Sequence, residues 1–204
     1  MSEGLELLSI ETGIVFCSAS SEALDSLPAI DGIASLRVAP DEVMLVGHPE
    51  GEEPLVKFVD QHFSYADPDG LTLNLTHGWS CFALSGPARK AAFARLSIVP
   101  LPTQTPGFAQ GSLVSVSGKI FCTSDRIYLF VSSSLDHHLR DRALELCGDL
   151  GLKVGKSVSF CLSAEPPTAP TPEDPAVGGD PDGGTARPGG GDKTVGSTYV
   201  EMPS

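Results

Sequence analysis

The side chains best suited to chemistry gather in one string, Asn74-Leu-Thr-His-Gly-Trp-Ser-Cys-Phe-Ala-Leu-Ser-Gly-Pro-Ala-Arg89. His77 could act as a base or as a ligand contact, because imidazole titrates near neutral pH. A strand-end histidine bonded to a backbone carbonyl is the structural alternative. Trp79 is the only tryptophan of the chain. It could stack on a flat ligand, fill a subunit interface or pack in the core. Arg89 could hold an anion near a helix start or cover the surface with its aliphatic stem. Cys81 stands beside Phe82 with no Cys–His–Asp order around it, so a nucleophilic thiol is not indicated. Asn74-Leu-Thr matches a glycosylation sequon, which has no consequence in a chain without an export signal.

Other candidates lie outside the string. Asp136-His137-His138 invites a metal reading, but neighbouring helical residues point about 100° apart and their imidazoles diverge. Asp136 beside Ser134 reads instead as the first turn of a helix. Gly118-Lys119 has Leu113 where a phosphate-binding loop needs glycine, and Ile120 follows, so it is no Walker motif. Neither a metal site nor a catalytic residue is expected.

These residues need elements to hold them. Phe82 and Leu84 alternate with Cys81, Ala83 and Ser85, which predicts a strand over Trp79–Ser85. Ser85-Gly-Pro then supplies a hydroxyl cap, a flexible glycine and a proline suited to a first turn. A helix over Ala88–Leu96 follows. On either side lies a weak repeat of hairpin, helix and strand. Its first copy has strands Ile33–Val38 and Val43–Gly47 and a helix over Glu53–Phe63, and a strand Leu71–Leu75 lies between the two copies together with Trp79–Ser85 and the helix after it. Its second has strands Lys119–Cys122 and Ile127–Ser132, a helix over Leu135–Leu150 and a closing strand Ser157–Leu162. Asp41 and Asp125 occupy matching turns. The pattern predicts an α+β fold of two ferredoxin-like βαβ-type halves, with mainly antiparallel sheets and helices on one face.

Composition sets the outer limits. The 204 residues carry a net charge of −13 and are 41% apolar. Affinity for nucleic-acid phosphate or anionic membrane needs a cationic surface, so neither partner is expected. The run Leu5–Cys17 is interrupted by Glu6, Glu11 and Thr12, unlike a signal peptide. No segment approaches the roughly 18 apolar residues of a membrane span. The five cysteines are widely spaced with no C-x-x-C pair, so reduced, mostly buried thiols and a cytoplasmic location are expected. After Leu162 the composition changes. Residues 163–204 hold eight prolines and eight glycines with a local charge of −5. Such a segment cannot bury enough apolar surface to offset its chain entropy. The expected division is therefore a domain over 1–162 and a disordered acidic tail over 163–204.

The Asn74–Arg89 string resembles a signature of the folate-binding superfamily. That superfamily includes the glycine-cleavage T-protein, the iron–sulfur-assembly folate protein and the gamma subunit of heterotetrameric sarcosine oxidase. Further blocks follow in the correct order over about residues 30–150. Leu36-Arg-Val-Ala-Pro-Asp-Glu42, Pro106-Gly-Phe-Ala-Gln-Gly111 and Arg126-Ile-Tyr-Leu-Phe-Val-Ser-Ser-Ser134 look like an early hairpin, a loop and a late strand of the gamma-subunit family. The resemblance implies a paired α+β core, in agreement with the pattern. In the T-protein an acidic pair serves the folate chemistry. The matching place here, Ser117-Gly-Lys-Ile-Phe-Cys-Thr, carries Phe121 and Cys122, and neither can take that part.

The resemblance therefore implies a non-catalytic gamma-type subunit of a heteromeric, folate-linked oxidative demethylase. It would stabilise larger alpha- and beta-type subunits, and FAD, FMN and NAD would belong to those partners. Tetrahydrofolate is the one cofactor left open for this chain, with His77, Trp79 and Arg126 as its contacts. Two alternatives stand beside this reading. One is a free-standing folate-binding protein with a pocket near Asn74, His77, Trp79 and Arg126. The other is an adaptor acting through its tail.

Overall fold

The computed structural model describes residues 4–162, and the expected tail at 163–204 lies outside the described residues. The first strand, β1 (Glu6–Glu11), is separated from β2 (Gly13–Ser18) by Thr12 alone, yet the two enter different sheets. Both are apolar on two faces because each sheet is covered on both sides. Gly13 marks the crossing. A Cβ there would lie 2.8 Å from the His48 carbonyl oxygen.

The first half runs β2, α1 (Ser21–Asp25), β3 (Ala34–Ala39), β4 (Glu42–Gly47), α2 (Glu52–Ala66) and β5 (Leu71–Asn74). This is a complete βαββαβ unit with strand order β3-β4-β2-β5, and every pairing is antiparallel. Helix α2 forms because Leu55, Val59 and Phe63 recur every four residues and bury one face. The second half runs β6 (Trp79–Ser85), α3 (Arg89–Leu96), β7 (Gly107–Leu113), β8 (Val116–Cys122), β9 (Arg126–Ser132), α4 (Asp136–Cys147), β10 (Lys153–Val154) and β11 (Val158–Ser159). Its sheet has the order β10-β1-β6-β9-β8-β7, with β11 also on β1.

The four layers follow from which side chains share a core. In the second sheet Leu7, Leu84, Leu129 and Ile120 face α3 and α4, meeting Phe93, Leu96, Leu139 and Ala143. From the opposite face Ile10, Ala83, Tyr128 and Phe130 meet Ile14, Leu36, Met44 and Val46 of the first sheet. That sheet turns Val15, Cys17, Val43 and Leu45 toward α1 and α2. The order is helices, sheet, sheet, helices. The expected α+β fold of two ferredoxin-like halves is what the chain adopts.

Three details differ from the sequence expectations. The strand expected at Ser157–Leu162 is reduced to β11, and it does not close the second half. The closing position beside β6 belongs to β1, antiparallel to it, while β10 and β11 add outside β1 in parallel. The segment Pro106–Gly111, read as a loop, supplies most of strand β7, which pairs with β8 from Gly107 to Leu113. Finally, β6 and α3, expected between the two repeat units, are the first strand and helix of the second half. At their junction Gly86 has φ +95°, and a Cβ there would lie 2.4 Å from the Gly4 carbonyl oxygen. Only glycine fits such a turn without backbone movement.

Candidate functional site

The β6–β9 ladder sets the positions of the candidate residues. It pairs Trp79 with Ser132 at one end and Ser85 with Arg126 at the other. Six residues of strand separate those ends by about 20 Å. The structure therefore brings Asn74, His77 and Trp79 to one end and places Arg126 at the far end. The single pocket expected near all four is two separate places, each with its own cavity.

At the Trp79 end, the turn Thr76–Gly78 links β5 to β6. Asn74 Oδ1 accepts the Thr76 N–H at 3.0 Å, and Thr76 Oγ1 accepts the Ile14 N–H at 3.0 Å. These bonds set the turn and carry no sign of catalysis. His77 is exposed on it and meets no hydrogen-bond or ion-pair partner among the described residues. Trp79 is half-buried and packs at the rim of the layer between the sheets. The Lys119 Nζ lies 4.7 Å from its ring centroid, a cation–π contact. Burial lowers the Lys119 pKa, and the Glu42 carboxylate partly opposes that shift. A cavity of about 310 Å³ opens beside Trp79, between the β1–β2 crossing and the start of α4.

At the Arg126 end lies a larger cavity of about 650 Å³. Ile30, Ile33, Pro106 and Phe121 give it apolar walls, and Asp31, Asp125 and Tyr128 bring polar groups. The β8–β9 turn is locked within itself. Thr123 Oγ1 donates to Asp125 Oδ1 at 2.7 Å and accepts the Arg126 N–H at 3.2 Å. Arg126 Nε stands 3.5 Å from Asp125 Oδ2. Tyr128 packs against Phe121 and Phe160, with ring centroids 5.8 and 5.2 Å away. Burial raises its phenol pKa, while the neighbouring Arg126 guanidinium pulls the other way. This end can hold a flat molecule against aromatic rings and offer it acceptors, while Arg126 stands beside Asp125 outside the cavity wall.

The remaining candidates resolve as structural. Arg89 donates to the carbonyls of Gly86 and Ser124 and so ties the start of α3 to the β8–β9 turn. His137 Nδ1 lies 3.4 Å from Asp136, whereas the His138 Nε2 bonds with the Val114 carbonyl at 3.1 Å, so the two imidazoles diverge. Cys81 is buried, and burial pushes its thiol pKa well up, which disfavours the thiolate. Tyr128 escaped the sequence reading as a candidate, and Lys119 entered it only in a rejected phosphate-loop motif. Phe121 and Tyr128 flank the Thr123-Ser-Asp-Arg turn symmetrically and pair across it. That symmetry was the available signal.

No protein-family model and no curated protein sequence matches the chain. Among solved structures it is similar to a chain of the heterotetrameric sarcosine oxidase of Corynebacterium sp. U-96, solved in complex with pyrrole 2-carboxylate. The identity is 18%, over 73% of this chain and 88% of that one, with a TM-score of 0.62. It is also similar to the glycine cleavage system aminomethyltransferase T of Bartonella henselae, at 15% identity over 75% of this chain, with a TM-score of 0.54. There the match spans 48% of the other chain, about half of it. At these identities the likeness is one of fold, and the paired α+β architecture is common to all three.

Proposed function

We propose that this chain is a non-catalytic, gamma-type subunit of a heteromeric, folate-linked oxidative demethylase resembling sarcosine oxidase. The observation that carries the reading is the extent of the fold match. It takes in 88% of a chain from a heterotetramer, but only 48% of the aminomethyltransferase. A domain of this size thus corresponds to nearly a whole chain in the first protein and to a part of the second. The short supply of converging polar groups at the Trp79 end fits a structural role. Larger alpha- and beta-type partners would carry FAD, FMN and NAD, and the assembly would work in the cytoplasm. No described helix is long and apolar enough to cross a membrane. The test is affinity capture of the tagged full-length chain from its native extract, followed by a visible spectrum. A yellow, flavin-bearing complex is expected. A colourless monomer overturns the reading.

A second reading is favoured by the larger cavity. A free-standing folate-binding protein would use this end and not the Trp79 end. The residues fit such a ligand. Tyr128 and Phe121 offer a flat aromatic wall and Asp31 and Asp125 could accept ring N–H groups, while Arg126, outside the wall beside Asp125, could pair with a carboxylate that projects from the cavity. Of the expected contacts His77, Trp79 and Arg126, only Arg126 would then serve. Calorimetric titration of the isolated chain with a stable reduced folate separates the readings. Saturable binding, lost in Arg126→Ala, supports the second. No binding removes it and leaves the subunit reading intact.

A further inference from the structure

Among the described residues the sheets end in four edges, and three of them are short or covered. β3 and β7 lie side by side, with Gln110 Nε2 donating to the Val38 carbonyl at 2.9 Å. β10 and β11 are two residues long each. β5 differs. It pairs with β2 alone, and Leu71-Thr-Leu-Asn74 holds no proline, charge or bulge of the kind that guards a free edge.

One bond sets the direction of its backbone groups. The Leu75 N–H donates to the Ile14 carbonyl at 2.9 Å, so alternation turns the backbone of Leu73 and Leu71 toward β2 as well. The N–H and C=O of Thr72 and Asn74 then point outward and meet no partner among the described residues. Leu73 and Leu71 stand opposite Phe16 and Ser18, on the face turned to the other sheet. They are nevertheless 42% and 52% exposed, so that sheet does not reach under β5.

We propose that β5 docks a second copy of this chain, strand against antiparallel strand about a two-fold axis. The free groups select one register. An axis at Thr72 needs the Gly70 N–H, which the Asp67 carbonyl already holds at 2.8 Å. An axis at Asn74 needs the Thr76 N–H, which Asn74 Oδ1 holds at 3.0 Å. With the axis at Leu73, Thr72 of each copy exchanges two hydrogen bonds with Asn74 of the other, and every outward group is satisfied. Leu73 then meets Leu73 of the second copy, and Leu71 meets Leu75. Beyond the strand ends, the same register sets the exposed Asp69 of each copy opposite the exposed His77 of the other, a complement for an imidazole that has no partner within the described residues. The contact is small beside the roughly 800 Å² per partner of a stable interface, so the dimer is weak and concentration-dependent. The proposal rests on neither functional reading.

Sedimentation of the purified full-length chain from about 10 μM to about 1 mM should show a monomer–dimer equilibrium. Leu73→Lys sets two ammonium groups against each other at the axis and should weaken association at least about tenfold. A melting curve checks that this variant folds. Cross-linking tests the register whether or not it does. Cys161→Ser first removes the one exposed cysteine among the described residues. In that background Leu73→Cys places two thiols directly opposite, about 4.5–5.5 Å apart at Cβ, and mild oxidation with diamide should link the copies. Leu71→Cys, which faces Leu75, should stay unlinked. A chain that is monomeric up to about 1 mM overturns the proposal and leaves the edge to a strand of a different protein. An equilibrium unmoved in folded Leu73→Lys, or cross-linking that does not favour Leu73→Cys, overturns it as well.

Discussion

The two halves share a ferredoxin-like plan and close it differently. The first half takes its fourth strand, β5, from its own end. The second takes β1, which precedes the entire first half in the chain. The two fourth strands are also buried differently. β1 is covered on both faces, with Leu7 against the helices and Leu8 and Ile10 against the other sheet. β5 is an edge strand whose Leu71 and Leu73 remain 52% and 42% exposed. The difference teaches that the halves are interlocked. The second cannot be completed until the N-terminal strand has been threaded beside β6, so the domain should unfold as one unit.

The sharpest way to break this comparison is to truncate one leucine in each fourth strand. Leu7→Ala removes a buried side chain from a two-sided core and should cost about 2–5 kcal/mol. Leu73→Ala, on the half-open edge, should stay within about 1 kcal/mol. Urea unfolding followed by circular dichroism and by Trp79 fluorescence reads both. Coincident transitions are expected for both variants, because one cooperative unit spans both sheets. Separate transitions for the two probes would show that the halves fold independently and that the interlock is unimportant.

A second test addresses the junction where β1 meets β6. Gly86→Ala adds a Cβ at positive φ against the Gly4 backbone just ahead of β1. It should destabilise by at least about 1 kcal/mol. Gly51→Ala, in the first half before α2, meets open space and has an ordinary negative φ. It should be neutral or slightly stabilising. Thermal melts rank the two variants, and equal melting points would count against a tight β1–β6 junction.

What was legible in the sequence follows the same contrast. The β3–β4 and β8–β9 hairpins and helices α2 and α4 were readable because each carries one apolar face with its own period, as in Leu55, Val59 and Phe63. The string Trp79–Ser85 matched β6 residue for residue. β1 and β2 were illegible for a physical reason. Strands buried on both faces lose their alternation, so Leu5–Cys17 reads as one broken apolar run. Helix α1 spans only Ser21–Asp25, too short to show a period. The site was half legible. His77 and Trp79 are neighbours in the sequence, but Arg126 joins them only through the order of family-like blocks, which holds no information on strand direction. The β6–β9 register alone places it at the far end.

Buried thiols compare the halves at alkaline pH. Cys17 of the first half has its pKa raised from 9.0 to about 12, by burial and by the nearby Asp60 carboxylate. Cys122 of the second rises from 9.0 to about 11, by burial, with Lys90 pulling down. In each case the folded state holds the proton more tightly than the unfolded chain. The stability from the neutral thiol is therefore complete below pH 9 and is lost as pH rises toward the folded values. Urea midpoints between pH 8 and pH 10.5 should fall for the parent chain. The fall should be shallower in Cys17→Ala and in Cys122→Ala. A curve of unchanged slope in both variants would assign the alkaline loss to other groups.

The smallest expected effects come from two carboxylates that tie each half's helices together. In the first half Asp67, at the end of α2, accepts the Ser20 N–H at the start of α1 at 2.7 Å. In the second, Asp149 beyond α4 pairs with Arg95 of α3, with Nη2 donating to Oδ2 at 2.9 Å. Each pKa is held below the usual 3.8, by the Ser20 backbone bond and by the Arg95 hydrogen bond respectively. A depressed carboxylate contributes above its unfolded pKa and loses that contribution as pH falls through the folded one. Asp149 is exposed and Asp67 is only half-buried, so the losses are modest and begin only below about pH 4. Salt separates them. The Arg95–Asp149 pair is an interaction of two exposed charges and should weaken in 1 M sodium chloride. The Asp67 bond to a backbone N–H should persist, because only one partner is ionised. Acid melts of Asp67→Asn and Asp149→Asn at low and high salt should therefore converge with the parent for Asp149 alone. If both variants respond to salt alike, the two halves hold their helices by the same long-range electrostatics, and the contrast drawn from their contacts is wrong.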